Sequence, residues 1–323
     1  MKNIAILTGG FDAEKIISFR SADVVEKFLP KTKYHVLQII IETDGWYEKH
    51  TKSPIDKNDF TLILDGKKHK FDAVFAALHG SPLEDGKLQG YFDILQIPYT
   101  CCSGWVSALT MNKMGTKKYL SDANVHMSKT LHFRRNQPIN FEAIRALGLP
   151  LFVKPNAAGS SFGITKVHIL DGLQRAIDIA FEHDEEILVE EFIEGREFGN
   201  GVFSYKGIPT ALPITEIISE TEFFDYAAKY EGKSKEVTPA NLSPELTKKC
   251  QNLSLYLYKE LECSGFVRFD YILKGEEFYF LEVNTIPGMS EQSIIPQQAT
   301  HFGMSLTDFF DIALQEILEF SKK

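Results

Sequence analysis

Residues 266–284 constrain this chain more than any other stretch. They read as a β-hairpin with its turn near Lys274 to Glu277, because alternating apolar residues flank a polar break that contains Gly275. Side chains alternate faces along a strand, so Glu282 and Asn284, two residues apart, point the same way. Asp270 lies on the preceding strand, and eleven residues separate it from Glu282. Directly paired residues of antiparallel strands share a face, so a loop with an odd number of residues would set Asp270 opposite Glu282. The other face then carries Phe269, Tyr271, Leu273, Tyr279, Leu281 and Val283, an almost wholly apolar set. Arg268, Asp270, Glu282 and Asn284 remain together on the polar side. A lone carboxylate usually belongs to a solvated face. Converging polar groups on a single hairpin indicate a site, and oxygen ligands that face together suit magnesium with nucleotide phosphates.

The chain around this hairpin has 323 residues, 44% of them hydrophobic, which is too many for one ordinary core and predicts two or three packed lobes. A short apolar strand at residues 3–8 ends in Gly9 and Gly10, and helical spacing follows over 13–29. Strands at 35–41, 60–64 and 73–78 and a helix at 87–95 complete an open, mostly parallel α/β sheet. A helix at 107–120 leads into a small α+β lobe with strands at 152–154, 165–170 and 187–193 and a helix at 173–183. The remainder offers a strand at 198–205, a helix at 244–263, the hairpin and a final helix at 305–320. The expected lobes are 1–100, 101–189 and 190–323, the last with a lid loop at 219–241.

Composition removes several classes of function. A net charge of −9 argues against nucleic-acid partners, which need a basic surface against phosphate. No apolar run reaches bilayer-spanning length, and residues 1–10 read as a first strand and not as a signal peptide. Cys101, Cys102, Cys250 and Cys263 show neither CxxC nor Cys/His spacing, so zinc and disulfide frameworks are not expected and a reducing cytoplasm fits.

Three further segments carry candidate chemistry. Lys154 ends a strand and opens the small-residue loop Pro155-Asn156-Ala157-Ala158-Gly159-Ser160-Ser161-Phe162-Gly163, whose amides can cradle phosphate oxygens. The P-loop pattern is not met there, and a glycine-serine loop is more often only a turn. Residues 188–198 form an apolar strand running into carboxylates, able to pair adenine with backbone groups while Glu197 takes ribose hydroxyls. The polar stretch 219–241 embeds Phe224, Asp225, Tyr226, Lys229 and Tyr230, a composition common in active-site lids.

Taken in order, these blocks resemble the D-alanine:D-alanine ligases across nearly the whole chain. The resemblance rests on Gly9-Gly10 with Glu14 and Ser18, then His79-Gly80, Glu84-Asp85-Gly86, Gln89-Gly90 and Pro98-Tyr99-Thr100. The Lys154 loop, Glu190-Glu191-Phe192 with Gly195-Arg196-Glu197, and Asp225-Tyr226 with Ala228-Lys229-Tyr230 follow. Gly265, Arg268, Asp270, the run Leu281-Glu282-Val283-Asn284-Thr285 and Pro287-Gly288-Met289 complete the series.

The family implies an ATP-grasp fold, α/β and α+β, in three lobes of which the first is the open parallel sheet. By the matched positions, Lys113, Lys154 and Lys229 would hold phosphates, while Glu190 and the backbone from Glu191 to Ile193 would read adenine. Glu197 would bind ribose, and Asp270, Glu282 and Asn284 would hold two Mg2+ or Mn2+ ions. Glu14 would receive the first D-alanine's ammonium, grouped with Ser160 and Tyr230, and His79 would lie beside the substrate. Arg268 and the Gly288 amide would stabilise an oxyanion, and Ser293 would meet the second substrate's carboxylate. The implied reaction is ATP-dependent ligation of two D-alanines for peptidoglycan precursors in the cytoplasm, by a homodimer. Departures from the family pattern are Leu83, Cys101-Cys102, Asn112, Phe224 and Gln292, and they concern second-substrate contacts more than ATP. A D-alanine:D-lactate ligase is the rival enzyme, disfavoured by Tyr230, since ester-forming relatives tend to carry phenylalanine there. A catalytically silent nucleotide binder is the rival of another class, disfavoured by retention of Arg268.

Overall fold

The structure is a computed structural model, and it describes residues 1–11, 14–159, 162–219 and 234–320. In chain order its first strands are β1 (Lys2–Gly9), β2 (Tyr34–Ile41), β3 (Trp46–Glu48), β4 (Ile55–Asp56), β5 (Thr61–Leu64), β6 (Lys67–His69) and β7 (Ala73–Ala76). Next come β8 (His126–Met127), β9 (Thr130–Arg134), β10 (Leu151–Pro155), β11 (Thr165–Val167) and β12 (Glu186–Glu191). The last are β13 (Arg196–Tyr205), β14 (Ile208–Ser219), β15 (Ser234–Val237), β16 (Val267–Lys274) and β17 (Glu277–Asn284).

The apolar run of β1 is buried because β1 is central in its sheet, parallel to β2 on one side and β7 on the other. That sheet has the order β3-β2-β1-β7. One of its faces shares a core with the C-terminal helices: Phe75 packs edge-on to Phe310 at 5.8 Å, and Phe309 stacks on Phe266 at 4.1 Å. Each such fully buried phenylalanine contributes roughly 1.5–3 kcal/mol. The first lobe is thus anchored to the last.

The middle of the chain has its own core. Helix Leu173–His183 places Leu173, Ala176, Ile177 and Ala180 inward, at helical spacing, against Leu151, Val153 and Val189 of a four-stranded sheet ordered β11-β10-β12-β9. The largest sheet is six-stranded, β15-β14-β13-β16-β17-β8. Successive strands β8 and β9 lie in different sheets, as do β12 and β13, so the chain crosses between the two sheets at residues 128–129 and again at 192–195.

Several sequence expectations change. The expected helix at 107–120 is two helices, Gly104–Met111 and Lys113–Tyr119, separated at Asn112, which is extended (φ −85°, ψ 97°). Its Oδ1 accepts from the Gly115 amide at 2.6 Å, so the asparagine ends one helix and caps the next. The strand expected over 165–170 stops at Val167 and is followed by a 3-10 turn, Leu170–Gly172. Of the polar stretch at 219–241, Ser234–Val237 form β15, paired antiparallel to β14 and not a loop; residues 220–233 lie outside the described residues. No helix among the described residues is long and apolar enough to cross a membrane.

Candidate active site

The hairpin delivers its polar face by a route the sequence did not announce. Lys274 pairs with Glu277, so the turn is the two residues Gly275 and Glu276, and Gly275 takes a φ of 62° that favours glycine. With an even turn, Asp270 would oppose Leu281. A one-residue bulge intervenes: Tyr271 pairs with Phe280, whereas Asp270 pairs with Glu282 and Arg268 with Asn284, leaving Leu281 as the extra residue. The odd-loop expectation is therefore replaced by an even turn plus a bulge. Tyr279 and Leu281, expected on the apolar face, instead stand on the cleft side, since Tyr279 pairs with the cleft-lining Ile272 and Leu281 itself lines the cleft. Phe278 and Phe280 take the core places against Tyr271.

Asp270 is buried and held by three hydrogen bonds from two residues. Arg268 donates to it twice, Nε to Oδ1 at 2.7 Å and Nη2 to Oδ2 at 2.9 Å, and Asn284 Nδ2 donates to Oδ2 at 2.9 Å. Burial works against the Arg268 charge, but Asp270 outweighs it and the guanidinium pKa stands above its ordinary value. Gly199, paired with Asp270 on β13, has no side chain to obstruct this fork: a Cβ there would lie 3.2 Å from Asp270 Oδ1. Glu236 on β15 also faces Arg268 and Asp270, and burial raises its carboxyl pKa. The sequence reading missed Glu236 because it sits in the stretch taken for a loop.

At the other end of the cleft, Glu190 of β12 has each oxygen held by a different lysine. Lys117 Nζ lies 2.8 Å from one and Lys154 Nζ 2.8 Å from the other, and Thr130 Oγ1 donates at 3.0 Å. Burial alone would raise this carboxyl, yet Lys154 and Lys117 bring it down to about 2. Lys117 carries no motif and escaped the sequence reading. The folded pKa of Glu190 lies below its ordinary 4.5, so its contribution to stability is present above that value and is lost as the pH falls toward about 2. Wild type should accordingly lose stability more steeply than Glu190→Gln between about pH 5 and about pH 2 in urea titrations; parallel curves would contradict the assignment.

Lys113, first residue of its helix, donates to the Ala158 carbonyl at 2.7 Å and lies 3.9 Å from Glu282 Oε2. The Glu191 carboxylate accepts from the Lys129 amide at 2.8 Å, and Ile193 is buried beside it. Glu14, at the start of helix Lys15–Phe28, approaches the small-residue loop so closely that a Cβ on Gly159 would lie 2.8 Å from its Oε2. His79 is buried, its Nε2 3.1 Å from Ser21 Oγ and its amide donating to Ser18 Oγ at 2.9 Å. Ser293 stands at the N-cap position of helix Ile294–His301, its hydroxyl bonded not to the helix but to Ser290 Oγ at 2.7 Å and 2.8 Å from where a Cβ on Gly288 would lie.

All of these side chains meet. Glu14, His79, Lys113, Lys154, Glu190, Glu191, Ile193, Glu197, Arg268, Asp270, Glu282, Asn284, Gly288 and Ser293 line one cleft of about 880 Å³, with residues of the six-stranded sheet and of the β11-β10-β12-β9 sheet on its walls. Ser160, Lys229 and Tyr230 lie outside the described residues.

The donor set fits a hard divalent ion that is completed by phosphate. Asp270, Glu282 and Asn284 offer oxygens on one sheet face, and among the described residues no group of three or more His, Cys, Asp or Glu forms a self-sufficient metal cage. Magnesium is held in that way, by one or two carboxylates with waters and substrate phosphates.

The family described as D-ala D-ala ligase N-terminus matches residues 3–102, and D-ala D-ala ligase C-terminus matches residues 121–315. The chain is 45% identical over 319 residues to a D-alanine--D-alanine ligase of Flavobacterium johnsoniae, covering 98% of this chain and 99% of that one. It superposes on the VanG D-Ala:D-Ser ligase from Enterococcus faecalis with a TM-score of 0.87 at 35% identity, over 97% and 98% of the two chains. A D-alanine--D-alanine ligase from Bacillus anthracis complexed with ATP superposes at 0.80 with 29% identity, over 98% of each chain. With both family matches together spanning most of the chain and a relative 45% identical over nearly its full length, the chain belongs to the D-alanine:D-alanine ligases of the ATP-grasp fold.

Proposed function

We propose that this enzyme joins two D-alanines to D-alanyl-D-alanine through a D-alanyl phosphate, converting ATP to ADP and phosphate, for peptidoglycan precursors in the cytoplasm. The observation that carries the reading is the single cleft onto which both the Lys154–Glu190 pair and the Arg268–Asp270–Glu282–Asn284 face open. A carboxylate resists attack by an amine, so the first D-alanine must be activated, and phosphorylation supplies a leaving group.

In this proposal the Glu190 carboxylate and the backbone from Glu191 to Ile193 hold adenine, Glu197 the ribose, and Lys113, Lys154 and Lys229 the phosphates. Asp270, Glu282 and Asn284 would hold two Mg2+ or Mn2+ ions, which when bound neutralise charge on the transferred phosphoryl group. Glu14, with Ser160 and Tyr230, receives the first D-alanine's ammonium, beside His79. Ser293, at a helix N-terminus that lines the cleft, takes the second D-alanine's carboxylate. The amine then attacks the acyl carbon, Arg268 and the Gly288 amide take the developing oxyanion, and phosphate leaves. Acyl phosphates hydrolyse readily, so the cleft must exclude water during transfer.

A mass-spectrometric assay with ATP and D-alanine, D-lactate or D-serine tests the function. Dipeptide from D-alanine, with phosphate release that requires D-alanine, is expected; ATP hydrolysis without any ligated product would contradict it. Tyr230→Phe removes one polar group and should raise the D-alanyl-D-lactate to dipeptide ratio about 10- to 100-fold at acidic pH, where the competing amine is protonated. Identical product ratios in wild type and variant would place the selectivity elsewhere. The homodimer implied by the family is read by sedimentation equilibrium.

A further inference from the structure

Helix Lys113–Tyr119 sits where the two sheets of the nucleotide cleft are joined. Its Lys113 and Met114 amides donate to Asn156 O at 3.1 Å and Oδ1 at 2.8 Å, at the end of β10. Lys113 and Lys117 are four residues apart and so share a helix face. Lys113 reaches toward Glu282 on the six-stranded sheet, and Lys117 reaches Glu190 on the four-stranded one.

Lys117 does more than neutralise Glu190. Its ammonium is buried and fully engaged, donating to Ser128 O at 3.2 Å, Ser128 Oγ at 2.7 Å and Thr130 Oγ1 at 2.7 Å besides its 2.8 Å pair with Glu190. Ser128 and Lys129 are one of the two crossings between the sheets. The other crossing starts just after Glu191, and the two are tied together: the Glu191 amide donates to Lys129 O at 3.1 Å, and the Lys129 amide donates to Glu191 Oε1 at 2.8 Å. One ammonium therefore holds both a carboxylate of the cleft and the 128–129 crossing between the sheets.

We propose that Lys117 is a positioning residue that fixes the Glu190 carboxylate and the 128–129 crossing together, so that recognition of the nucleotide base depends on it although Lys117 does not itself line the cleft. This rests on Glu190 facing the adenine, as in the proposed function. Without Lys117, one oxygen of Glu190 loses its ion pair, and the carboxylate is drawn toward Lys154 on its remaining side. Its presentation to the base changes, while the Arg268–Asp270–Glu282 face is untouched.

The test is direct nucleotide binding by calorimetry, with ADP and inosine diphosphate, alongside steady-state kinetics of the full-length enzyme. Lys117→Met should weaken ADP binding about 10- to 100-fold and raise the KM for ATP comparably, and the preference for ADP over inosine diphosphate should collapse. The D-alanine KM should stay within about twofold, a split that general loosening would not produce. Unchanged ADP affinity and unchanged base preference in a folded Lys117→Met enzyme would overturn the proposal. Thr130→Val removes a second contact to both Lys117 and Glu190 with less disruption, and it decides the matter if Lys117→Met does not fold: a smaller shift in the same direction supports the role, and an unaltered base preference overturns it. Wild-type binding that does not distinguish ADP from inosine diphosphate would instead defeat the adenine assignment of Glu190, which separates failure of that reading from failure of this one.

Discussion

Glu282→Gln should cut turnover by about 10³-fold or more and leave the folded state almost as stable as wild type. The carboxylate stands on the cleft face of the hairpin, its side chain 31% exposed, and its ion pair with Lys113 spans 3.9 Å. A partly exposed pair of that length contributes little to stability, about 0–1 kcal/mol. Its value in the proposed reaction is as an anionic oxygen ligand beside the phosphates, where several kcal/mol of charge stabilisation are at stake and each 1.36 kcal/mol is about tenfold in rate. Glutamine keeps the shape and removes the charge. Turnover with saturating magnesium, and the midpoint of urea unfolding, check the two halves; retained turnover would remove Glu282 from the site.

Asp270→Asn should fail in both respects. Asp270 is 5% exposed in its side chain and accepts both Arg268 donors, so the substitution leaves a guanidinium that is itself only 13% exposed without its main counter-charge. Breaking a buried ion pair from one side costs about 3–5 kcal/mol. Glu236 and Glu282 also attract Arg268 and offset part of that loss. The expected result is a urea midpoint well below wild type together with loss of turnover, which in the proposed reaction follows from the lost anionic charge and from an Arg268 without its fork. Asp270→Asn with wild-type stability would mean that the fork is dispensable to the fold. The contrast between two carboxylates that face each other across one strand pair follows from their burial and from how closely each is paired.

That contrast also measures how far the sequence could be read. Period-two alternation set Arg268 with Asp270 and Glu282 with Asn284, because spacing along a strand is local, but joining the two pairs relied on an odd loop, and in the structure an even turn plus a bulge does that instead. Which apolar residues lay opposite was misread at Tyr279 and Leu281, since a bulge is a property of the paired ladder and has no composition of its own. The break at Asn112 was legible in principle, because asparagine is a strong cap. Lys117 and Glu236 were not legible, because a lysine on a helix and a glutamate in a polar stretch match the ordinary solvated surface until the sheets that bury them are assembled. The order of blocks along the chain, not any one block, brought Glu14, Ser293 and the nucleotide residues into one expectation, and their joint presence on one cleft rests on crossings that lie far apart in sequence.

The central claim is that the first D-alanine is phosphorylated on its carboxylate before the amine attacks. D-alanine labelled with ¹⁸O in both carboxylate oxygens tests it directly, with ATP and the full-length enzyme, by mass analysis of the released phosphate. Attack on an acyl phosphate breaks the bond between the acyl carbon and the bridging oxygen, so each phosphate should leave with one ¹⁸O that came from D-alanine. Dipeptide formed with unlabelled phosphate would show that the carboxylate oxygen never joined phosphorus, and would contradict the acyl-phosphate account.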